Sequence, residues 1–322
     1  MHAAVVTAFD RPPAYREFPR PTPQTPDEIL VDVVAVGLHP RVRSQADGSH
    51  YTSSGELPLV PGIDGVGRAP DGSLRYFVLP DTTMGAMAEQ TVVDRRRSVV
   101  LPEGADPILV AAAMNPVMSA WIALRRRIEF EPGQTVLVLG ATGSAGRMAV
   151  QVAKRLGASH VIGAGRDARR LSTLSGLGAD ATVRLDSASA VSDLARVARD
   201  VDVVIDYLWG PITAEVMTGI AIARNRSDPG KPLTWIEIGS VAGTSAEIPS
   251  AALRAIRLQI VGSGQGSVPI SDILAELRTL AGEITGGTFK LDTRAVPLAD
   301  VEAAWNDTAS DQRIVITPSD WG

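Results

Sequence analysis

The 322-residue chain carries 45% hydrophobic and 21% charged residues, a formal charge of -5, four histidines and no cysteine. This is the composition of an ordinary globular protein long enough for two domains. It excludes disulfides, thiolate catalysis and cysteine-bearing zinc sites, and a mildly acidic chain has no general attraction for nucleic acid.

The N-terminus has no basic segment leading into a long apolar run, and no later stretch is expected to reach the ~18 apolar residues of a membrane span. A soluble, cytoplasmic protein with no membrane or nucleic-acid partner is therefore expected. Residues 3–7 read as a short strand, 19–28 as a proline-rich turn region and 29–38 as a full strand. Short β runs follow at 59–67, 74–79 and 89–93, broken by Pro-Gly and Asp-Gly steps. Such a series fits a barrel-like β unit better than a βαβ repeat.

The texture changes after Pro107. Residues 108–124 are alanine-rich and should be helical, with Asn115-Pro116 interrupting or restarting the helix. A compact strand at 134–139 precedes a glycine cluster and a helix over 145–156, whose stripe is Ala149, Val150, Val152, Ala153 and Leu156, with Gly157 at its C-terminal cap. Strands at 160–163, 181–185, 201–207, 233–238 and 256–262 alternate with helical or turn segments, among them 169–177 and 192–198. This is an α/β alternation from about residue 120 to 264. In the tail, 270–281 and 298–305 have helical spacing, Gly286 and Gly287 mark a turn, and 289–294 and 313–317 read as strands. The tail is expected to pair back onto the N-terminal β unit.

The glycine cluster is LVLGATGSAG at 137–146. A strand, then Gly140, Gly143 and Gly146, then an amphipathic helix is the arrangement that brings backbone N–H groups and a helix N-terminus to a pyrophosphate. Counted from Ala141, the spacing is that of the dinucleotide fingerprint with alanine in first place. No Gly-Lys-Ser/Thr follows, so it is not an ATPase phosphate loop. Close strand-to-helix packing without a ligand is the alternative. The candidate cradle is Gly140, Ala141, Thr142, Gly143, Ser144, Ala145 and Gly146.

At the end of the next strand, where an acid would bind the ribose hydroxyls of NAD, the chain reads Gly163, Ala164, Gly165, Arg166. Arg166, with Arg169 or Arg170 behind it, puts positive charge where an adenosine 2′-phosphate would lie, so NADPH is favoured over NADH. Incidental arginines at a solvated helix start are the alternative. Tyr207, Gly239 and Ser240 end later strands on the carboxyl edge and are candidate cofactor contacts, Gly165 likewise. In the first third, His39, His50, Tyr51 and Asp64 are the chemically useful side chains. Tyr51 could donate a proton or be only a packed surface aromatic, and four scattered histidines do not make a zinc centre.

Taken in order, LPLVPGIDGVGR (57–68), GAMAEQTVV (85–93), LPEGADPILVAAAMNPVMSAWIAL (101–124), PGQTVLVLGATGSAGRMAVQVAKRLGA (132–158), PLADVEAAW (297–305) and RIVI (313–316) resemble the medium-chain dehydrogenase/reductase superfamily. The nearest branch is that of the zinc-free quinone oxidoreductases and enoyl reductases. The resemblance implies a GroES-like, mainly β catalytic domain from residues 1–115 with 285–322, and an inserted Rossmann doubly wound, parallel-sheet NADP-binding domain at 116–284. It also implies a nicotinamide in the interdomain cleft and a homodimer. Zinc-dependent relatives carry a cysteine near Leu38 and a His-Glu pair where this chain has Ile63-Asp64, so no metal is expected. His39-Pro40 stands where the branch often has Asn-Pro, and Gln90 where it has a tyrosine, which points to a specialised pocket.

The leading expectation is an NADPH-dependent enzyme reducing a quinone or an α,β-unsaturated carbonyl compound by metal-free hydride transfer. Its proton would come from solvent, Tyr51 or His39, unless His39 only hydrogen-bonds the ribose or shapes the cleft. The alternatives are an NADPH-binding redox sensor or structural protein without turnover, and a zinc-independent alcohol or aldehyde reductase. A short-chain reductase is opposed by the roughly 130 residues before the glycine loop and by the lack of any Tyr-x-x-x-Lys.

Overall fold

The computed structural model describes residues 1–228, 230–307 and 311–318. It divides into two compact units, Met1–Asn115 with Leu274–Gly322, and Pro116–Ile273.

The first unit is mainly β. Its strands are β1 (His2–Val5), β2 (Ala14–Glu17), β3 (Glu28–Gly37), β4 (Asp64–Arg68), β5 (Leu74–Val78), β6 (Gln90–Asp94) and β7 (Ser98–Val100), with the short helix α1 (Pro40–Ala46) after β3. β3 is long enough to change partners along its length. Glu28–Asp32 face β6, Asp32 to Ala35 face β4 across a bulge, and its last two residues face the C-terminal strand. That strand, β15 (Arg313–Thr317), also pairs in parallel with β14 (Thr293–Pro297). The tail therefore does close onto the N-terminal sheet, as the sequence suggests. Val31, Val33, Val36, Phe77, Met87 and Ile316 form the core beneath these strands. β14 lies a few residues beyond the 289–294 run expected from propensity, because its register is set by pairing with β15 rather than by its own composition.

The second unit is a six-stranded parallel sheet. In chain order its elements are α2 (Pro107–Ile122), which enters it from the first unit, β8 (Thr135–Leu139), α3 (Ser144–Arg155), β9 (His160–Gly165), α4 (Ala168–Thr173), β10 (Ala181–Arg184), α5 (Ala190–Val197), β11 (Val203–Asp206), α6 (Gly210–Asn225), β12 (Leu233–Glu237), α7 (Ser250–Ala255), β13 (Leu258–Gly262) and α8 (Ile270–Thr285), which leads back to the first. After α8 the chain continues through β14 and α9 (Val301–Asn306). The strand order is β10-β9-β8-β11-β12-β13, and every neighbouring pair is parallel. The order reverses between β8 and β11, the switch point at which doubly wound sheets bind ligands. Leu137, Val204 and Trp235 from three adjacent strands build the core with Met217 and Ile220 of α6. Arg224 is fully buried in the same unit, and its guanidinium donates to the carbonyls of Arg199, Val201, Lys231 and Pro232.

Two expectations need correction. Asn115-Pro116 does not break α2, which runs straight through Pro116 and then widens into a π turn at Ala123–Arg127. A proline costs a helix interior about 3 kcal/mol, and burial of Val110, Met114, Val117 and Trp121 from the same helix offsets it. The second correction concerns apolar length. Pro107–Arg127 forms 21 helical residues long and apolar enough to cross a bilayer, contrary to the expectation that no such stretch exists; 67% of its most apolar window is buried inside the protein, as in a core helix.

Candidate functional site

Each unit carries its own group of site residues. In the second unit the glycine loop joins β8 to α3. Gly140 has φ +82, a left-handed conformation that suits glycine. Its N–H and that of Ala141 both donate to the Ala164 carbonyl, which turns the chain sharply away from the sheet. The tight-turn role thus belongs to Gly140, one residue before the alanine from which the fingerprint was counted. Gly146 is needed for approach: a Cβ there would stand 2.2 Å from the Gly140 oxygen and 2.7 Å from the Ala141 Cα. Gly143 is the N-cap of α3 and provides no side-chain cap, and no acidic residue occupies the first turn. The first N–H groups of α3, at Ser144, Ala145 and Gly146, therefore keep their donors and their positive dipole end uncompensated. Ser144 Oγ and Arg147 Nε are buried without a hydrogen-bond partner among the described residues. A bound phosphate would satisfy this donor set, so the loop fits a dinucleotide.

β9 ends at Gly165, which is buried. A Cβ at this position would come 2.6 Å from Thr142 Cγ2 and 2.8 Å from its Oγ1, so the side chain of the loop occupies the space an acid would need. Arg166 follows, exposed; nearby Asp186 takes its hydrogen bonds from Arg184, which lower that carboxyl's pKa, and Arg166 is close enough to add to the lowering. Arg170 is engaged instead. Its backbone N–H donates to Asp167 Oδ1 at 2.9 Å and its Nε lies 3.4 Å from Asp167 Oδ2. The structure thereby sets Arg166 apart from Arg170, which the sequence had placed behind it as a second contact.

At the carboxyl end of β11, Asp206 is fully buried and accepts four hydrogen bonds. Leu208 N (2.8 Å) and Trp209 N (3.1 Å) bond to Oδ1, and Thr213 Oγ1 (2.7 Å) and Trp235 Nε1 (3.0 Å) to Oδ2. These bonds hold a turn in which Trp209 takes φ 52, ψ -167, a conformation costly for a residue other than glycine. Leu208 and Tyr207 from this turn pack where a Cβ on Gly140 would lie. The buried Tyr207 shares a 2.8 Å hydrogen bond with Ser119, and burial pushes its phenol pKa up. Gly239 packs against the Tyr207 backbone, and Ser240 beside it is exposed. Asp206 escaped the sequence reading as a structural centre, although an acid ending an apolar strand was visible.

In the first unit His39 is buried just before α1, and its Nε2 lies 2.9 Å from Asp64 Oδ1. Tyr76 donates to Asp64 Oδ2 at 2.6 Å. Asp64 pairs with Val78 and Tyr76 with Val66, so the two side chains are diagonal neighbours on one face of the β4–β5 ladder. Burial lowers the His39 pKa despite Asp64, and Arg313 and Arg41 add to the lowering. Arg313, brought to Leu38 by β15, is held at about 10 by burial, with Asp64 opposing the drop. Tyr51 is elsewhere, on a turn and 71% exposed, with its ring 4.3 Å from that of His50. Next to it Thr52 donates to Asp81, which also pairs with Arg41. Burial and Arg41 lower His50 to about 4. Among the described residues, no three His, Cys, Asp or Glu side chains are grouped to hold a metal.

A family model described as zinc-binding dehydrogenase matches residues 145–221. A probable NADPH-dependent quinone reductase of Emericella nidulans is 33% identical over 99% of this chain and 100% of its own length. A trans-enoyl reductase of Aspergillus terreus is 26% identical over 68% of this chain and 64% of its own. Among solved structures, the quinone oxidoreductase of Thermus thermophilus, determined alone and with NADPH, has a TM-score of 0.77 at 24% identity, covering 98% of this chain and all of the other.

Proposed function

We propose, because this chain belongs to the medium-chain dehydrogenase/reductase superfamily and to its quinone oxidoreductase-like branch, that it is an NADPH-dependent reductase of quinones or α,β-unsaturated carbonyl compounds. The observation that carries this reading is the glycine loop, with its uncapped helix start and no acid at the end of β9. Bound NADPH supplies a hydride from its nicotinamide ring. The residues of the chain do the rest. Backbone donors at Thr142, Ser144, Ala145 and Gly146 hold the pyrophosphate, the Gly143 N–H being taken by the Gly140 carbonyl; Arg166 takes the 2′-phosphate, and the turns at Tyr207 and at Gly239-Ser240 bound the site along the carboxyl edge. Arg170, tied to Asp167, is a weaker second phosphate contact. A conjugated acceptor delocalises the charge it gains, so the reaction does not require a Lewis acid. The proton is assigned to solvent or to the exposed Tyr51 hydroxyl, while the buried His39 is assigned to hydrogen bonding and not to proton transfer.

Loss of absorbance at 340 nm with a panel of 1,4-quinones, alkenals and cyclic enones tests the reading. Turnover with NADPH and little with NADH is the expected result; tight binding without turnover on any acceptor would support a sensor instead. Arg166→Glu is expected to raise KM for NADPH about 10- to 100-fold, the worth of one charge-assisted phosphate contact, and to leave KM for NADH nearly unchanged. A wild-type preference for NADH would remove Arg166 from this role.

A homodimer is part of the same proposal. β13 ends the sheet, its only strand partner among the described residues is β12, and Gln259, Ile260 and Gly262 are exposed along it. An exposed edge of this kind is a ready template for pairing with a second copy. Light scattering should give twice the chain mass at micromolar concentration, and a monomer there would discard this part.

A further inference from the structure

The geometry points to Asp64, whose second oxygen is taken by Tyr76, as the positioning residue that holds His39 in a single neutral tautomer, Nε2–H, so that its Nδ1 is a hydrogen-bond acceptor for a hydroxyl group on the cofactor or the substrate. This deepens the reductase proposal and rests on it. A carboxylate can only accept hydrogen bonds. Tyr76 already donates to Oδ2, and Oδ1 lies 2.9 Å from His39 Nε2, so the imidazole must place its proton on Nε2 to complete the pair. The buried Arg313 guanidinium lies close enough to Asp64 to compensate its charge, and Arg313 and Arg41 both disfavour a second proton on the ring. Nδ1 is then bare. It is buried and has no hydrogen-bond partner among the described residues.

Buried polar atoms in native proteins are nearly always paired, so an orphaned acceptor on a side chain this tightly oriented indicates a donor that comes from outside the chain. A neutral Nδ1 cannot deliver a proton to the acceptor oxygen. It can orient an alcohol, and the two available sources are a ribose hydroxyl of the cofactor and a hydroxyl on the substrate. The second-layer carboxylate that fixes a histidine tautomer is a familiar device in metal and hydrolase sites; here the histidine would serve recognition.

Nitrogen-15 NMR of histidine-labelled wild-type protein at pH 7 gives the first test, without any variant or turnover. His39 should show a protonated Nε2 and an unprotonated Nδ1; an imidazolium or the Nδ1–H tautomer would overturn the proposal. The second test is Asp64→Asn. With Tyr76 donating to the new amide oxygen, the amide NH2 faces His39 Nε2 and forces the ring proton onto Nδ1. The expected result is exchange of the two nitrogen signals and a rise of about five- to tenfold in one KM, the scale of one neutral hydrogen bond. A rise for NADPH identifies the ribose, and a rise for the acceptor identifies a substrate hydroxyl. An exchanged tautomer with both KM values unchanged would refute the role. Tyr76→Phe, which keeps the Asp64–His39 pair, should retain the wild-type tautomer, and loss of it would also count against the proposal. Because the NMR readout needs no substrate, its failure is distinct from failure of the reductase reading.

Discussion

Gly146→Ala is expected to lower NADPH affinity by about 100-fold and to destabilise the cofactor unit by about 1–3 kcal/mol, the usual cost of overpacking. The added methyl would stand 2.2 Å from the Gly140 oxygen and 2.7 Å from the Ala141 Cα, both backbone atoms that have no rotamer to escape into. α3 must therefore move away from β8, and the donors at its N-terminus move with it; a shift of about 1 Å in such a site costs on the order of 100-fold. Gly143→Ala separates the two effects. Its Cβ would meet only the Gly140 oxygen, at an ordinary 3.5 Å. The folded protein should tolerate it with little change in Tm, while the methyl obstructs backbone approach to the pyrophosphate. Fluorescence titration with NADPH and thermal melts on both variants check the pair. Unchanged NADPH affinity in Gly143→Ala would show that the loop packs a strand on a helix and holds no phosphate.

Asp206→Ala is expected to cost about 3–5 kcal/mol. It leaves four donors without their acceptor: two backbone N–H groups, the Thr213 hydroxyl and the Trp235 indole. Each orphaned buried donor costs about 1–3 kcal/mol, reduced where local relaxation admits water. Asp206→Asn should be milder, at about 1–3 kcal/mol. If its amide oxygen keeps Leu208 N and Trp209 N, the Thr213 hydroxyl can turn to accept from the new NH2, and only Trp235 Nε1 is left unpaired. The measurement is chemical denaturation of both variants. Equal losses would mean that Asp206 acts through its charge and not through the geometry of its four bonds. Because this turn also carries Leu208 onto the Gly140 turn, NADPH affinity should fall in the same order.

Much of the cofactor unit was legible in the chain. Its central strands are buried on both faces and read as short apolar runs such as residues 136–138, and α3 shows its stripe with glycine just past its end. Both signals are local, so one sequence suffices to find them. The boundaries that failed had non-local causes. Pro116 signals a break, but packing around α2 overrode it; β14 is placed by its register with β15.

The site divides along the same line. The chain alone determined the glycine spacing and the arginine where an acid would stand, because a strand, a turn and a helix start are each encoded within a few residues. Only the tertiary structure decided that Gly140 makes the turn, that Thr142 fills the space beside Gly165, and that Arg170 belongs to Asp167 while Arg166 is exposed with Asp186 near it. It also brought His39 to an acid 25 residues away and that acid to a tyrosine 12 residues further on. No periodicity announces such a network. Buried polar groups must find their partners wherever strand register places them, and register is a property of the folded sheet.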